Sequence, residues 1–211
     1  LDVHYVGHPL VEIINEEKIN KDLLPIKLTK PVIALLPGSR KQEIKKMLPV
    51  FKSITHYFSD YEFIIAGVQS ISKEWYDEIL KDYKVKIVYN RTYNLLKKST
   101  AAIVTSGTAT LETALFNVPQ IVCYKSSLIS YLVGKLFIKL KFISLVNIIM
   151  GREIVKELIQ KDCSKRNIIA ELSHLLKKEN ILNLKKEYKL LRDRLGKEET
   201  SLKVAKLITK F

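Results

Sequence analysis

Neither GxGxxG nor Gly-x-x-x-x-Gly-Lys-Ser/Thr occurs anywhere in these 211 residues. Dinucleotide binding and P-loop ATP hydrolysis therefore lack the glycine-rich turns that cradle their phosphates. Cysteine is scarce: Cys123 and Cys163 belong to no CxxC or Cys/His cluster, which fits reduced structural thiols in a cytosolic protein better than a disulfide or zinc framework. No eighteen-residue window is uninterruptedly apolar, so a membrane-spanning helix is not expected. The nearest approach, Leu128 to Ile149, is broken by Lys135, Lys139 and Lys141. With Leu132, Leu136, Phe137 and Leu140 it reads as an amphipathic helix, packed on a sheet or lying on a membrane surface. No signal peptide is expected, and the chain opens on Leu1 with strand-like residues, as a piece of a longer protein would. Arginine is rare as well, supplying six of the 36 basic residues.

What is present is a core and a strong positive charge. An apolar content of 47% supports one globular domain, or a domain with an appendage. The net charge of +14 favours anionic partners such as phosphoesters or an acidic membrane surface. The lysines are dispersed in pairs such as Lys45-Lys46 and Lys185-Lys186. Together with the lack of RNP, zinc-finger or KH patterns, that dispersal argues against nucleic acid as a partner.

The most informative stretch is Ile33 to Ile44. Its apolar run Ile33 to Leu36 is too short for a helix and reads as a strand covered on both faces. Pro37-Gly38 then ends it. Gly38 lets the backbone approach a ligand, Ser39 offers a hydroxyl and Arg40 a planar fork for paired oxygens, although an ordinary turn with a solvated arginine uses the same residues. A helix is expected to start at Pro49, followed by strand Phe63 to Gly67, a helix near Lys73 to Lys81, and strand Val85 to Tyr89. Next come a helix near Tyr93 to Lys98, strand Ala101 to Thr105, a helix over Ala109 to Phe116, and strand Gln120 to Tyr124. This alternation predicts an α/β fold with a doubly wound parallel sheet, whose ligands sit at the carboxyl ends of the strands. By that rule the turn Ser106-Gly107-Thr108-Ala109 is the second candidate anion site, since it too leaves a strand and opens a helix. Ser106 and Thr108 could equally be helix caps, and Glu112 a solvated first-turn acid. Asn147, inside the apolar run Ser144 to Ile149, is either a buried amide satisfied by backbone or a reader of a ligand edge. From Ser164 onward the pattern is helical: Lys165 to Leu176, Leu182 to Leu195, a break at Gly196, then Leu202 to Ile208.

Five segments, in order, resemble the C-terminal half of lipid-A-disaccharide synthase. They are Val6-Gly7-His8-Pro9, Leu35 to Arg40 with Glu43-Ile44, Ser106 to Ala109 with Leu111-Glu112, Ser144-Leu145 with Asn147, and Gly151-Arg152-Glu153 with Val155-Lys156-Glu157-Leu158. The resemblance implies a GT-B glycosyltransferase with a Rossmann-like donor domain, here residues 1–163, and a C-terminal helical segment, 164–211, packed on it. It implies joining of UDP-2,3-diacylglucosamine to 2,3-diacylglucosamine 1-phosphate with inversion and release of UDP. No metal or other cofactor is required by that fold, and the chain has no Asp-x-Asp to hold a metal on a diphosphate.

Carried onto this sequence, the resemblance places Gly38, Ser39 and Arg40, with Glu43, at the UDP diphosphate. By the same resemblance, Arg40 would be the catalytic group that stabilises the departing charge. Ser106, Gly107, Thr108 and Ala109 would contact phosphate or ribose, Glu112 the ribose hydroxyls, and Asn147 the donor. His8 and Arg152 are placed at the interdomain hinge or cleft, His8 with the equal alternative of capping the Gly-Pro turn. Val146 stands where the family usually has proline, leaving the Asn147 loop less constrained. The acceptor domain and the general base are expected before Leu1, supplied in cis or in trans, which would leave this chain inactive alone. The family resemblance also implies a cytoplasmic protein held peripherally at the anionic inner membrane. The alternatives are another UDP-N-acetylglucosamine enzyme of the same fold, a 2-epimerase or the peptidoglycan transferase, or a non-catalytic nucleotide-binding remnant.

Overall fold

The computed structural model describes residues 4–16, 24–81, 83, 85–125, 141–196 and 200–209. The amphipathic segment expected between Leu128 and Leu140 lies outside them. In chain order the elements are α1 (Pro9–Glu16), β1 (Val32–Leu36), α2 (Lys41–Lys52), β2 (Glu62–Gly67), α3 (Lys73–Leu80) and β3 (Lys86–Tyr89). These are followed by α4 (Thr92–Lys98), β4 (Ser99–Thr105), α5 (Thr108–Leu115), β5 (Gln120–Tyr124) and α6 (Leu145–Met150). The chain then forms β6 (Lys156–Ile159), α7 (Lys165–Leu175), α8 (Lys178–Leu195) and α9 (Thr200–Ile208).

The six strands form one parallel sheet in the order β3-β2-β1-β4-β5-β6. Every residue of β1 is buried, because helices cover both faces of the sheet. Alternation along the strand divides it between two cores. Ile33 and Leu35 join Ile44, Met47, Leu48 and Phe51 of α2, together with Ile168, Leu172 and Leu191 from the last helices. Val32, Ala34 and Leu36 pack instead with Leu95 and Leu96 of α4. The helices after Ser164 thus share the first core with the sheet. Both cysteines are free and buried.

Three local expectations are corrected. Among the described residues the first element is a helix, and residues 4–8 before it form no strand: Pro9 suits a first helical position, and Val11 and Ile14, three apart, bury one face. Helix α2 begins at Lys41, and Pro49 lies within its last turns. Pro49 is on the exposed face, where the carbonyl it leaves unpaired can meet water. Finally, Lys156–Ile159 forms a sixth strand; two charged residues followed by two apolar ones show neither the alternation nor the apolar run that marks a strand in sequence.

The strand order also fixes where a ligand fits. From β1 the chain moves outward through β2 to β3, and from β4 in the opposite direction through β5 to β6. The turns leaving β1 and β4 therefore diverge at the carboxyl edge and leave a crevice between them.

Candidate functional site

A cleft of about 480 Å³ opens at that switch point, lined by Gly38, Ser39, Arg40 and Glu43 from one turn and by Ser106, Gly107, Thr108, Ala109 and Glu112 from the other. Its volume lies within the range of small-molecule sites. A smaller hollow of about 370 Å³ sits at the opposite, amino edge, between the starts of β5 and β6 and helices α7 and α8. The carboxyl edge is the one where strand ends and helix starts converge donors on a single space, so the chemistry is assigned to the larger cleft.

Both turns depend on glycine. Gly38 has φ +106°, and a Cβ there would come within 2.6 Å of Glu43 Oε2. Gly107, with φ 149° and ψ −165°, occupies a region populated essentially by glycine, and its missing side chain leaves open space. After Gly107 helix α5 starts without a side-chain cap. The Ser106 hydroxyl is not used as one: it donates to the Ile143 carbonyl at 2.9 Å. The capping alternative for Ser106 is thereby set aside; the Thr110 amide closes onto the Gly107 carbonyl at 3.1 Å, and the dipole at the uncapped start of α5 suits an anion.

The turn before α2 differs. Its amides at Ser39 and Arg40 both donate to Glu43 Oε2, at 3.2 and 3.3 Å, and Arg40 Nη1 reaches Glu43 Oε1 at 3.4 Å. The Arg40 side chain is nevertheless 82% exposed. On the facing turn, Glu112 accepts a hydrogen bond from the Tyr93 hydroxyl at 3.2 Å. Burial raises the pKa of the Glu112 carboxyl, and the Tyr93 bond offsets part of that rise.

Three predicted site residues face elsewhere. Asn147 is fully buried, and the protein uses all four hydrogen-bonding positions of its amide: Nδ2 donates to Val155 O and Glu157 Oε1, while Oδ1 accepts from the amides of Ile154 and Val155. It has nothing left for a ligand and holds α6 to the chain entering β6. Arg152 lines the amino-edge hollow and pairs with Glu187 at 2.5 Å, away from the cleft. His8 does not line the cleft either. Its Nδ1 accepts from the Leu10 amide at 3.2 Å, and its own amide donates to Leu195 O at 3.0 Å, so it caps the Gly-Pro turn. Sequence reasoning missed Tyr93, Thr92 and Gly67. Thr92 and Gly67 line the cleft, and a Cβ on Gly67 would meet Ile87 Cγ2 at 2.7 Å. The glycine ending β2 was a visible signal, whereas Tyr93 meets Glu112 only through the fold.

The S. aureus MnaA structure solved with UDP has the same fold: TM-score 0.62 and 15% identity, covering 95% of this chain and 52% of that one. The lipid-A-disaccharide synthase of Syntrophus aciditrophicus is 35% identical over 207 residues, 93% of this chain and 54% of the relative. That of Persephonella marina is 37% identical over 180 residues, 79% of this chain and 47% of the relative. The chain spans about half the length of these curated relatives. The sequence profile described as lipid-A-disaccharide synthetase matches residues 1–211 throughout, and with the identities above it establishes that the chain belongs to that family.

Proposed function

We propose that this chain is the nucleotide-sugar half of an inverting hexosyltransferase, joining UDP-2,3-diacylglucosamine to 2,3-diacylglucosamine 1-phosphate and releasing UDP and the lipid A disaccharide 1-phosphate. The observation that carries this reading is the pair of strand-to-helix turns facing one cleft at the β1/β4 switch point, with the 82% exposed Arg40 side chain at its rim. When the sugar–phosphate bond breaks, negative charge collects on the diphosphate. Arg40 and the uncapped first turn of α5 are placed to receive it, and preorganised donors stabilise such charge more than they stabilise the ground state. Glu112 offers a carboxylate to the ribose hydroxyls, oriented by Tyr93.

The acceptor's 6-hydroxyl must lose a proton within hydrogen-bond reach of a base. That base and the acceptor site belong to the remaining half of the enzyme, and this chain alone should not turn over. The dispersed lysines suit peripheral attachment to an anionic cytoplasmic leaflet, where acylated substrates reside. Titrating UDP into the chain by NMR tests the site. The expected shifts fall at Gly38–Arg40, Ser106–Thr108 and Glu112; shifts confined to α7 and α8 would refute it.

A further inference from the structure

The turn offered to the diphosphate already holds an anion. Glu43 Oε2 accepts from the Ser39 and Arg40 amides at 3.2 and 3.3 Å, and Oε1 faces the Arg40 guanidinium at 3.4 Å. Gly38 is shaped around that carboxylate, since a Cβ there would sit 2.6 Å from Oε2. The facing turn has no such occupant: α5 lacks a side-chain cap. The two anion turns of one cleft are thus in different states, one filled from within and one open. We propose that Glu43 is an internal placeholder for the diphosphate, held in the Ser39–Arg40 turn when the nucleotide is absent and displaced by it on binding. This rests on the nucleotide reading of the cleft given above.

The geometry explains why displacement is feasible. The carboxylate reaches the amides from the third residue of α2, through a flexible side chain, so a rotamer change frees both donors without moving backbone. Arg40 is largely in water and can follow the incoming charge. A diphosphate brings several strong acceptor oxygens and can outcompete a single carboxylate. A nucleoside without phosphates has nothing to offer this turn. Glu43 would therefore bias the cleft toward phosphorylated ligands, and it keeps the amides satisfied when the cleft is empty.

A capping contact of this kind favours its closed form by about 2- to 30-fold. Affinity for a ligand that needs the open turn is reduced by the same factor, which removing the carboxylate restores. The experiment titrates UDP and uridine into the full chain, as wild type, Glu43→Gln and Glu43→Ala. The placeholder predicts tighter UDP binding in Gln and tighter still in Ala, because the Gln carbonyl can still reach the amides; uridine should be unaffected. UDP affinity unchanged or weakened in both variants, with UDP still shifting the cleft in the wild type, would make Glu43 a scaffold of the turn and overturn the proposal. Equal tightening in Gln and Ala would trace to charge alone and overturns it too. If UDP fails to bind wild type and variants alike, the nucleotide reading falls with it.

Discussion

Replacing Arg40 by alanine separates a functional turn from a structural one, and the structure sets both magnitudes. The side chain is 82% exposed and fills no core position, so its loss opens no cavity. Its contact with Glu43, at 3.4 Å on the surface, contributes about 0–1 kcal/mol. Against that stands its place as the residue capping α2, where a cation opposes the helix dipole by about 0.3–1 kcal/mol. The two effects offset, and since about 1 kcal/mol moves Tm by roughly 2–4 °C in a chain of this size, melting should scarcely change. Catalysis should change far more. Losing a preorganised donor at developing charge costs about 10²–10³-fold in rate, or about 2.7–4 kcal/mol. Because the interaction strengthens in the transition state, kcat should fall together with kcat/KM. The assay is donor turnover by the full-length enzyme, alongside a thermal melt, with Arg40→Lys recovering part of the loss because a point charge cannot reproduce the fork. An intact kcat, or a large drop in Tm, would refute the assignment. A cation at a helix N-terminus is a local conflict, and such conflicts are expected where function overrides stability.

Three further outcomes follow. Glu112→Gln should stabilise the fold while weakening UDP: burial raises the folded carboxyl above its ordinary value near 4.5, so wild-type stability is complete below that value and is lost as pH rises through the folded one. The gain in Tm over wild type should therefore be seen at neutral pH and vanish toward pH 4.5; a gain independent of pH would contradict it. Asn147→Ala strands the Ile154 and Val155 amides and should cost about 2–5 kcal/mol by denaturant titration, and a variant of unchanged stability would return Asn147 to the list of ligand contacts. Sedimentation with anionic vesicles should weaken as salt shortens the Debye length to about 3 Å at molar strength, whereas binding indifferent to salt would point to apolar insertion.

Period and punctuation in the chain were enough to read the parallel α/β sheet and to single out Gly38–Arg40 and Ser106–Thr108, because a buried strand ending at glycine and opening a helix is a local pattern. Four consecutive apolar residues, as in Ile33–Leu36, or a Pro-Gly step, carry that information without reference to anything distant. Tertiary structure alone decided which polar residues face the cleft. Asn147 and Glu112 look equally functional in sequence, but only the fold brings Val155 and Glu157 against the first and Tyr93 against the second. Arg152, which follows a glycine directly where Arg40 follows Gly38 by two positions, lies at the other edge of the sheet because its loop precedes a strand instead of following one. A side chain's chemistry belongs to its residue type. Its partners come from chain segments far apart in sequence, and strand order determines which of those segments meet.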